Sequence, residues 1–176
     1  MYIAIAVVVI LVIVYIAISN SLSKAIIKID EAESGIDVAL TKRYDVLTKQ
    51  LDIVKAYAKH EAETFEKVIE LRKGMTIAEK NAAAAQMGEL QSKINVVAEN
   101  YPELRSAENF RMLQASVNDT EEHLQAARRA YNANVSSYNQ KIIVFPSSIV
   151  ASIRKLTKRD FFEAEEAKRA DVKMEF

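Results

Sequence analysis

Residues 2–18 carry no charge, amide or hydroxyl other than two tyrosine phenols, and this run constrains the chain more than any other feature. Twelve of the seventeen are Ile, Val or Leu, three are Ala and two are Tyr. At roughly −0.3 to −0.6 kcal/mol for each Ile, Val or Leu, insertion into a bilayer is favoured by about 4 to 7 kcal/mol. With Met1 included, the run as a helix reaches ~27 Å, the short end of a hydrocarbon core. Eleven of the seventeen are β-branched, which disfavours a helix in water. Lipid reverses that preference, because a lone span must satisfy every backbone group internally. The run far outlasts a buried strand. A cleaved signal peptide would want a basic n-region and a small-x-small site, and Ile18-Ser19-Asn20-Ser21 fits poorly. The expectation is an uncleaved transmembrane anchor over residues 1–22, with Tyr2, Ile10, Tyr15 and Ile18 in the membrane. Lys24 and Lys28 follow the span and only the α-amino group precedes it. That favours a single-pass protein of the cell membrane with its soluble part in the cytoplasm, a periplasmic location being the alternative.

The remainder, residues 23–176, reads as one all-α domain. Two prolines and three glycines are too few for the turns of a β-sandwich or barrel. A first apolar seam runs through Leu40, Tyr44, Leu47, Leu51, Val54 and Ala58, then Glu61, Phe65 and Val68, in alternating steps of four and three. Gly74, preceded by Arg72 and Lys73, marks a stop. The first helix therefore spans about 23–73, its continuity with the anchor left open. Thr76-Ile77-Ala78-Glu79 has the capping-box pattern that opens a second helix, and Pro102 ends it near Asn100. A turn through Arg105 leads to Ser106 as the N-cap of a third helix. Its seam is Phe110, Leu113, Val117, Thr120, Leu124, Ala127, Tyr131, Val135, Tyr138 and Ile142. Phe145-Pro146 ends that helix, and Ser147 or Ser148 caps a fourth through Ile149, Val150, Ile153 and Leu156. Short connections between long helices imply antiparallel neighbours. The expected architecture is a transmembrane helix followed by an elongated antiparallel helical bundle with coiled-coil seams.

Little in the chain points to chemistry. There is no cysteine, which excludes disulfides, thiolate metal sites and a thiol nucleophile. Lys and Arg number 24, as do Asp and Glu, so no overall field recruits nucleic acid. His60 and His123 lack the glutamate three residues earlier that builds di-iron bundles, Tyr57 and Thr120 standing there instead. Thr64 stands where a zinc-protease helix would place its second histidine. The expectation is no catalytic residue, no metal site, no cofactor and no enzymatic activity. Two features rise above that background. Tyr131-Asn132 and Tyr138-Asn139 are seven apart on one helix face, as either a tyrosine-lined seam or a ligand face. Arg154, Lys155, Lys158 and Arg159, with Phe161 and Phe162, form a candidate contact with an anionic lipid surface, or else a solvated face packing its phenylalanines.

Together these segments resemble the LemA family of bacterial membrane-anchored helical proteins. The resemblance is carried by the N-terminal span, Arg43-Tyr44-Asp45 and Val54-Lys55-Ala56-Tyr57-Ala58-Lys59-His60-Glu61. It continues through Ala98-Glu99-Asn100-Tyr101-Pro102-Glu103-Leu104, Glu108-Asn109-Phe110, Ala127-Arg128-Arg129 and Tyr131-Asn132. Tyr138-Asn139, Phe145-Pro146 and Phe161-Phe162 complete it, so nearly the whole chain is covered. Lys42 departs from the family pattern, where an arginine is usual. The resemblance implies an N-terminal anchor, a soluble helical bundle, no established enzymatic activity and a membrane-protein partner. It also makes Arg43, Tyr44, Asp45, Arg128, Tyr131, Asn132, Tyr138 and Asn139 the candidate partner or ligand face.

The leading functional expectation is a non-enzymatic, membrane-anchored scaffold that forms a homo-oligomer or holds a membrane-protein partner, with the lipid bilayer as its constant contact. A ligand-binding or hydrolytic bundle using the Tyr-Asn face and a peripheral lipid sensor are the alternatives.

Overall fold

A computed structural model describes residues 1–58, 71–72 and 74–162. All its elements are helices: α1 (Tyr2–Tyr57), α2 (Ile77–Asn100), α3 (Pro102–Ser106), α4 (Glu108–Ile143) and α5 (Ser147–Ile153). No strand occurs among the described residues. The apolar run and the first bundle helix are one uninterrupted element, α1. It ends at Tyr57, short of Lys73, and Leu71 and Arg72 lie outside any helix. Glu61, Phe65 and Val68 of the first seam, and His60 beside them, fall outside the described residues.

The chain divides into two compact units, and the first comprises Met1–Gly35 with Arg128–Phe161. Here α1 and α4 run antiparallel in step. The Asn134 side-chain amide donates to the Lys28 carbonyl at 3.0 Å, and the Lys141 ammonium donates to the Ser21 hydroxyl at 3.4 Å. Seven residues separate the two donors and seven separate the two acceptors. Leu22, Ala25 and Ile29 of α1 are buried in this unit with Tyr131, Val135, Tyr138 and Ile142 of α4 and Val150 and Ala151 of α5. Both sets recur at three- and four-residue steps, as a helix needs to keep one stripe inward.

The second unit holds Ile36–Ala127 and Phe162. Leu40, Leu47, Leu51, Val54 and Ala58 are buried as the first seam requires, with Tyr44 half-buried. Helix α4 again runs against α1, with Lys42 Nζ 2.8 Å from Asp119 Oδ2 and Gln50 donating to Gln114 Oε1 at 2.7 Å. One neighbour pair departs from the antiparallel expectation. Asp37 pairs with Lys80 at 2.6 Å, and Arg43 donates to the Ala84 carbonyl at 3.5 Å, so α1 and α2 advance together. Polar partners set this direction: Lys80 and Arg43 are both buried, and each reaches its partner across the contact between α1 and α2.

The ends follow local chemistry closely, with two corrections. Thr76 accepts from the Glu79 amide at 3.2 Å while the Glu79 carboxylate accepts from the Thr76 amide at 2.7 Å, completing the capping box. Those bonds to Thr76, with Arg72 alongside, hold the Glu79 carboxyl below the ordinary carboxylate range. Helix α2 stops at Asn100, ahead of Pro102. Ser106, however, does not cap α4. It is the last residue of α3, and its hydroxyl donates back to the Glu103 carbonyl. Ser147 likewise turns backward, donating to the carbonyls of Lys141 and Val144, so it closes α4 and α5 has no side-chain cap. Helix α5 ends at Ile153, before Leu156, and it buries Val150 and Ala151 while Ile149 and Ile153 face outward. The Phe145–Pro146 peptide between the two helices is cis.

Leu124 is fully buried and Met112 largely exposed on the same helix. Leu124→Ala should cost about 2–5 kcal/mol, whereas Met112→Ala should change stability by no more than about 0.5 kcal/mol. Denaturant unfolding of the full chain in mild detergent, followed by circular dichroism, measures both.

Candidate functional site

Helix α4 places Tyr131 and Tyr138 two turns apart on its inward face, both almost fully buried. A buried phenol needs a partner, and each finds one in a non-helical stretch of the same chain. The Tyr138 hydroxyl donates to the Thr157 carbonyl at 2.9 Å, and the Tyr131 hydroxyl donates to the Asp160 carbonyl at 3.1 Å. Asn139 completes the arrangement by bonding both sides of one peptide position. Its amide donates to the Arg159 carbonyl and its oxygen accepts from the Arg159 N–H, each at 2.9 Å. The Tyr-Asn face is thus a clasp, and in this structure it grips the chain's own backbone. Asn132 lies half-buried beside it, and Arg128 is buried one turn earlier. Burial is the main cause that pushes the Tyr131 phenol up to about 12, with the negative charge of Glu33 adding to it.

The basic segment lies next to the clasp. Arg154 is half-buried and donates through Nη1 to both the carbonyl and the hydroxyl of Ser19, at 2.9 and 3.1 Å. Lys155, which has a positive φ of 52°, and Lys158 are exposed. Arg159 approaches Asp30 at 4.0 Å, an exposed pair of small energetic weight. Phe161 is exposed, while Phe162, in the second unit, is buried.

Arg43, Tyr44 and Asp45 belong to the second unit. Arg43 is buried at a seam position and pairs with Glu121 at 3.0 Å, Tyr44 is half-buried, and Asp45 is exposed. Three further buried polar residues, Gln50, Lys80 and Gln91, gave no signal in the sequence. Lys80 is buried against Asp37, and Gln50 is fully buried against Gln114, which also accepts from Gln91 at 3.4 Å. No apolar periodicity could have flagged them, since each looks like a surface residue in its own helix. His123 is exposed, its Nε2 3.4 Å from Asp119. Asp119 also accepts from Lys42, a bond that holds its carboxyl below the usual range. Among the described residues no three His, Asp or Glu side chains converge as metal ligands would. His60 lies outside the described residues.

The apolar run forms the start of α1. The helix is long and apolar enough to cross a membrane, and none of the described residues buries its apolar stretch. Tyr2, Ile10 and Tyr15 are exposed, and Ile18 is half-buried where the first unit begins to cover the helix.

The LemA family model matches residues 32–176. The chain belongs to the LemA family. This LemA-family chain is 27% identical over 163 residues to Protein LemA of Metamycoplasma hominis, a match covering 90% of the chain and 74% of that protein. It is also 26% identical over 80 residues to magnetosome protein MamQ 2 of Paramagnetospirillum magneticum, and 25% identical over 80 residues to magnetosome protein MamQ of Magnetospirillum gryphiswaldense. Each of those two matches covers 46% of the LemA-family chain and only 29% of the magnetosome protein.

Asn139→Ala removes both bonds to Arg159 and should release the 157–160 backbone. Trypsin cleavage after Lys158 and Arg159 should accelerate severalfold while cleavage elsewhere stays unchanged, as mass spectrometry of the fragments can follow. Tyr131 supplies a pH test. Its phenol keeps its proton to higher pH in the folded chain than in the unfolded one. The resulting stability is fully present below pH ~10 and is lost as pH rises through about 12. Comparing parent and Tyr131→Phe across that window, the parent should lose more stability, and equal losses would refute the assignment.

Proposed function

We propose that this chain is a non-enzymatic, membrane-anchored helical scaffold, with residues 1–22 as the anchor and residues 23–176 as the bundle that meets other proteins. The observation that carries this is the first part of α1, a charge-free helical stretch of Ile, Val, Leu, Ala and two Tyr that none of the described residues covers. A helix apolar on every face belongs in a core or in lipid. The described residues offer it no core, which supports lipid as its surroundings.

The assembly role rests on the chemistry of the candidate site. Tyr131, Tyr138 and Asn139 are engaged with backbone of the same chain and offer no free nucleophile or base. Apart from two tyrosine phenols, residues 2–18 carry no polar side chain to hold a neighbouring span in lipid, so association falls to the bundle. Its product is a homo-oligomer or a complex with a membrane protein, anchored as a single pass in the cell membrane with the bundle in the cytoplasm. Met112, Val96 and Val38 are exposed aliphatic positions on three different helices that such a partner could cover.

Intact mass of membrane-extracted protein tests the anchor. Residues 1–22 should be retained, and alkaline carbonate should leave the chain in the membrane pellet. A species shortened by about twenty N-terminal residues would refute it. The mass of the nanodisc-embedded assembly tests the scaffold role, for which a defined multimer or a co-purifying membrane protein is expected and a bare monomer would count against it.

A further inference from the structure

Outside the span, large exposed apolar side chains are scattered singly over the described residues except in one place. Ile143, Val144, Phe145, Ile149 and Ile153 are all more than half exposed, and Phe145 reaches 76%. Ile149 and Ile153 are four apart on α5 and share its outward face. No charged residue occurs from Ile142 to Ile153.

The in-step pairing of α1 with α4 locates this cluster. Continuing two residues beyond the Lys141–Ser21 bond sets Ile143 level with Ser19, the first residue after the apolar run. At 1.5 Å per residue, that level is about 3 Å along the helix from the Lys141–Ser21 bond. Arg154 confirms the placement from the other side of α5 by bonding Ser19 twice. The cluster therefore sits where α1 emerges from its lipid-compatible stretch.

Charge points the same way. The chain is neutral overall, but the first unit has nine basic side chains (Lys24, Lys28, Arg128, Arg129, Lys141, Arg154, Lys155, Lys158 and Arg159) against Asp30, Glu31, Glu33 and Asp160. None of the acids precedes Asp30 on α1. A groove of about 520 Å³ starting at Ala17 is lined by Asn20, Lys24, Lys28, Asn134 and Lys141, with three ammonium groups and no carboxylate.

We propose that the end of the first unit formed by Ile143, Val144, Phe145, Ile149 and Ile153 is immersed in the interfacial layer of the same leaflet that α1 enters, with Lys24, Lys28 and Lys141 on the phosphates of anionic lipids. This rests on the anchor reading above and adds a second, lateral attachment that the span alone does not supply. Apolar side chains next to a basic surface are the composition that interfacial segments use, and anionic headgroups attract the lysines. The occupant is lipid rather than protein because the patch is level with the span's end, where any chain in a bilayer meets headgroups.

The chain has no cysteine, so single spin labels report position directly. Full-length Phe145→Cys, Ile149→Cys, Ile153→Cys, Val9→Cys and Ala130→Cys proteins would be reconstituted in mixed phosphatidylcholine and phosphatidylglycerol vesicles. Ala130 is exposed on α4, about 20 Å along the helix from Ile143. Labels at Phe145, Ile149 and Ile153 should collide with dissolved oxygen severalfold more than with a water-soluble nickel chelate, as at Val9, while Ala130 shows the reverse. If the three cluster labels behave like Ala130 while Val9 remains in lipid, the anchor stands and this inference falls. If Val9 is also aqueous, the anchor reading itself fails. Shielding of the cluster from both reagents would mean that protein covers it, which also overturns the proposal. Replacing Lys24, Lys28 and Lys141 together by Gln should lower the phosphatidylglycerol enrichment of co-purified lipid severalfold, and unchanged enrichment would remove the headgroup contact.

Discussion

The main-chain ladder of α1 passes from Tyr2 to Tyr57 without a break, while its side chains change from apolar on every face to apolar on one stripe. A continuous helix cannot rotate one part independently of the next without losing backbone hydrogen bonds. The direction in which Leu22, Ala25 and Ile29 point is therefore fixed to the orientation of the exposed run before them. Whatever packs on those three residues inherits the same fixed relation to the apolar run. In the first unit this means α4, whose Tyr131, Val135, Tyr138 and Ile142 face inward, and α5 behind it. The height of every residue in that unit above the end of the apolar run follows from the α1 register.

A total charge of zero conceals a local imbalance with direction. Basic residues gather on the unit that contains the apolar run, and the rest of the chain carries the compensating acids. A global sum of zero bears only on the long-range field that a polyanion such as nucleic acid would meet. It says nothing about a surface within a Debye length of ~8–10 Å of a bilayer, where only the nearest charges act. Four of the basic residues, Arg154, Lys155, Lys158 and Arg159, were visible in sequence as a cluster. Lys24, Lys28 and Lys141 were not, because 113 residues separate Lys28 from Lys141 and only the pairing of α1 with α4 brings them to one groove.

The same distinction explains what could be read from the sequence. The α4 seam was legible because its pattern is local: eight of its ten positions are buried, with Leu113 and Ala127 half-buried. The capping box and the Pro102 stop were legible for the same reason. Arg43, Gln50 and Lys80 were not legible as core. Their burial depends on Glu121, Gln114 and Asp37, partners more than forty residues distant. Removing one member of such a pair leaves the other uncompensated. Ser106 and Ser147 matched an N-cap pattern but turned backward, since a serine hydroxyl can equally donate to a carbonyl that closes the preceding helix. The Tyr-Asn face was legible as a face. Its occupant was not, because residues 157–160 have no periodicity and are recognised through their backbone.

That occupant gives the clasp its significance. A seven-residue helix such as α5 has little stability of its own, yet it is secured on both sides. Ser147 ties its start to the end of α4, Arg154 ties its end to Ser19, and the clasp holds the following residues through Thr157, Arg159 and Asp160. Every one of these fastenings is a polar bond. Hydrophobic burial alone would have turned Ile149 and Ile153 inward, since inward rotation of α5 removes two large aliphatic side chains from water. Instead Val150 and Ala151, the smaller side chains, face the unit's interior while the larger ones face out. An apolar face kept outward against its own hydrophobic preference is intelligible if the surroundings it meets are not water. The bilayer interface proposed at Ser19, where the exposed, charge-free part of α1 ends, would be such surroundings.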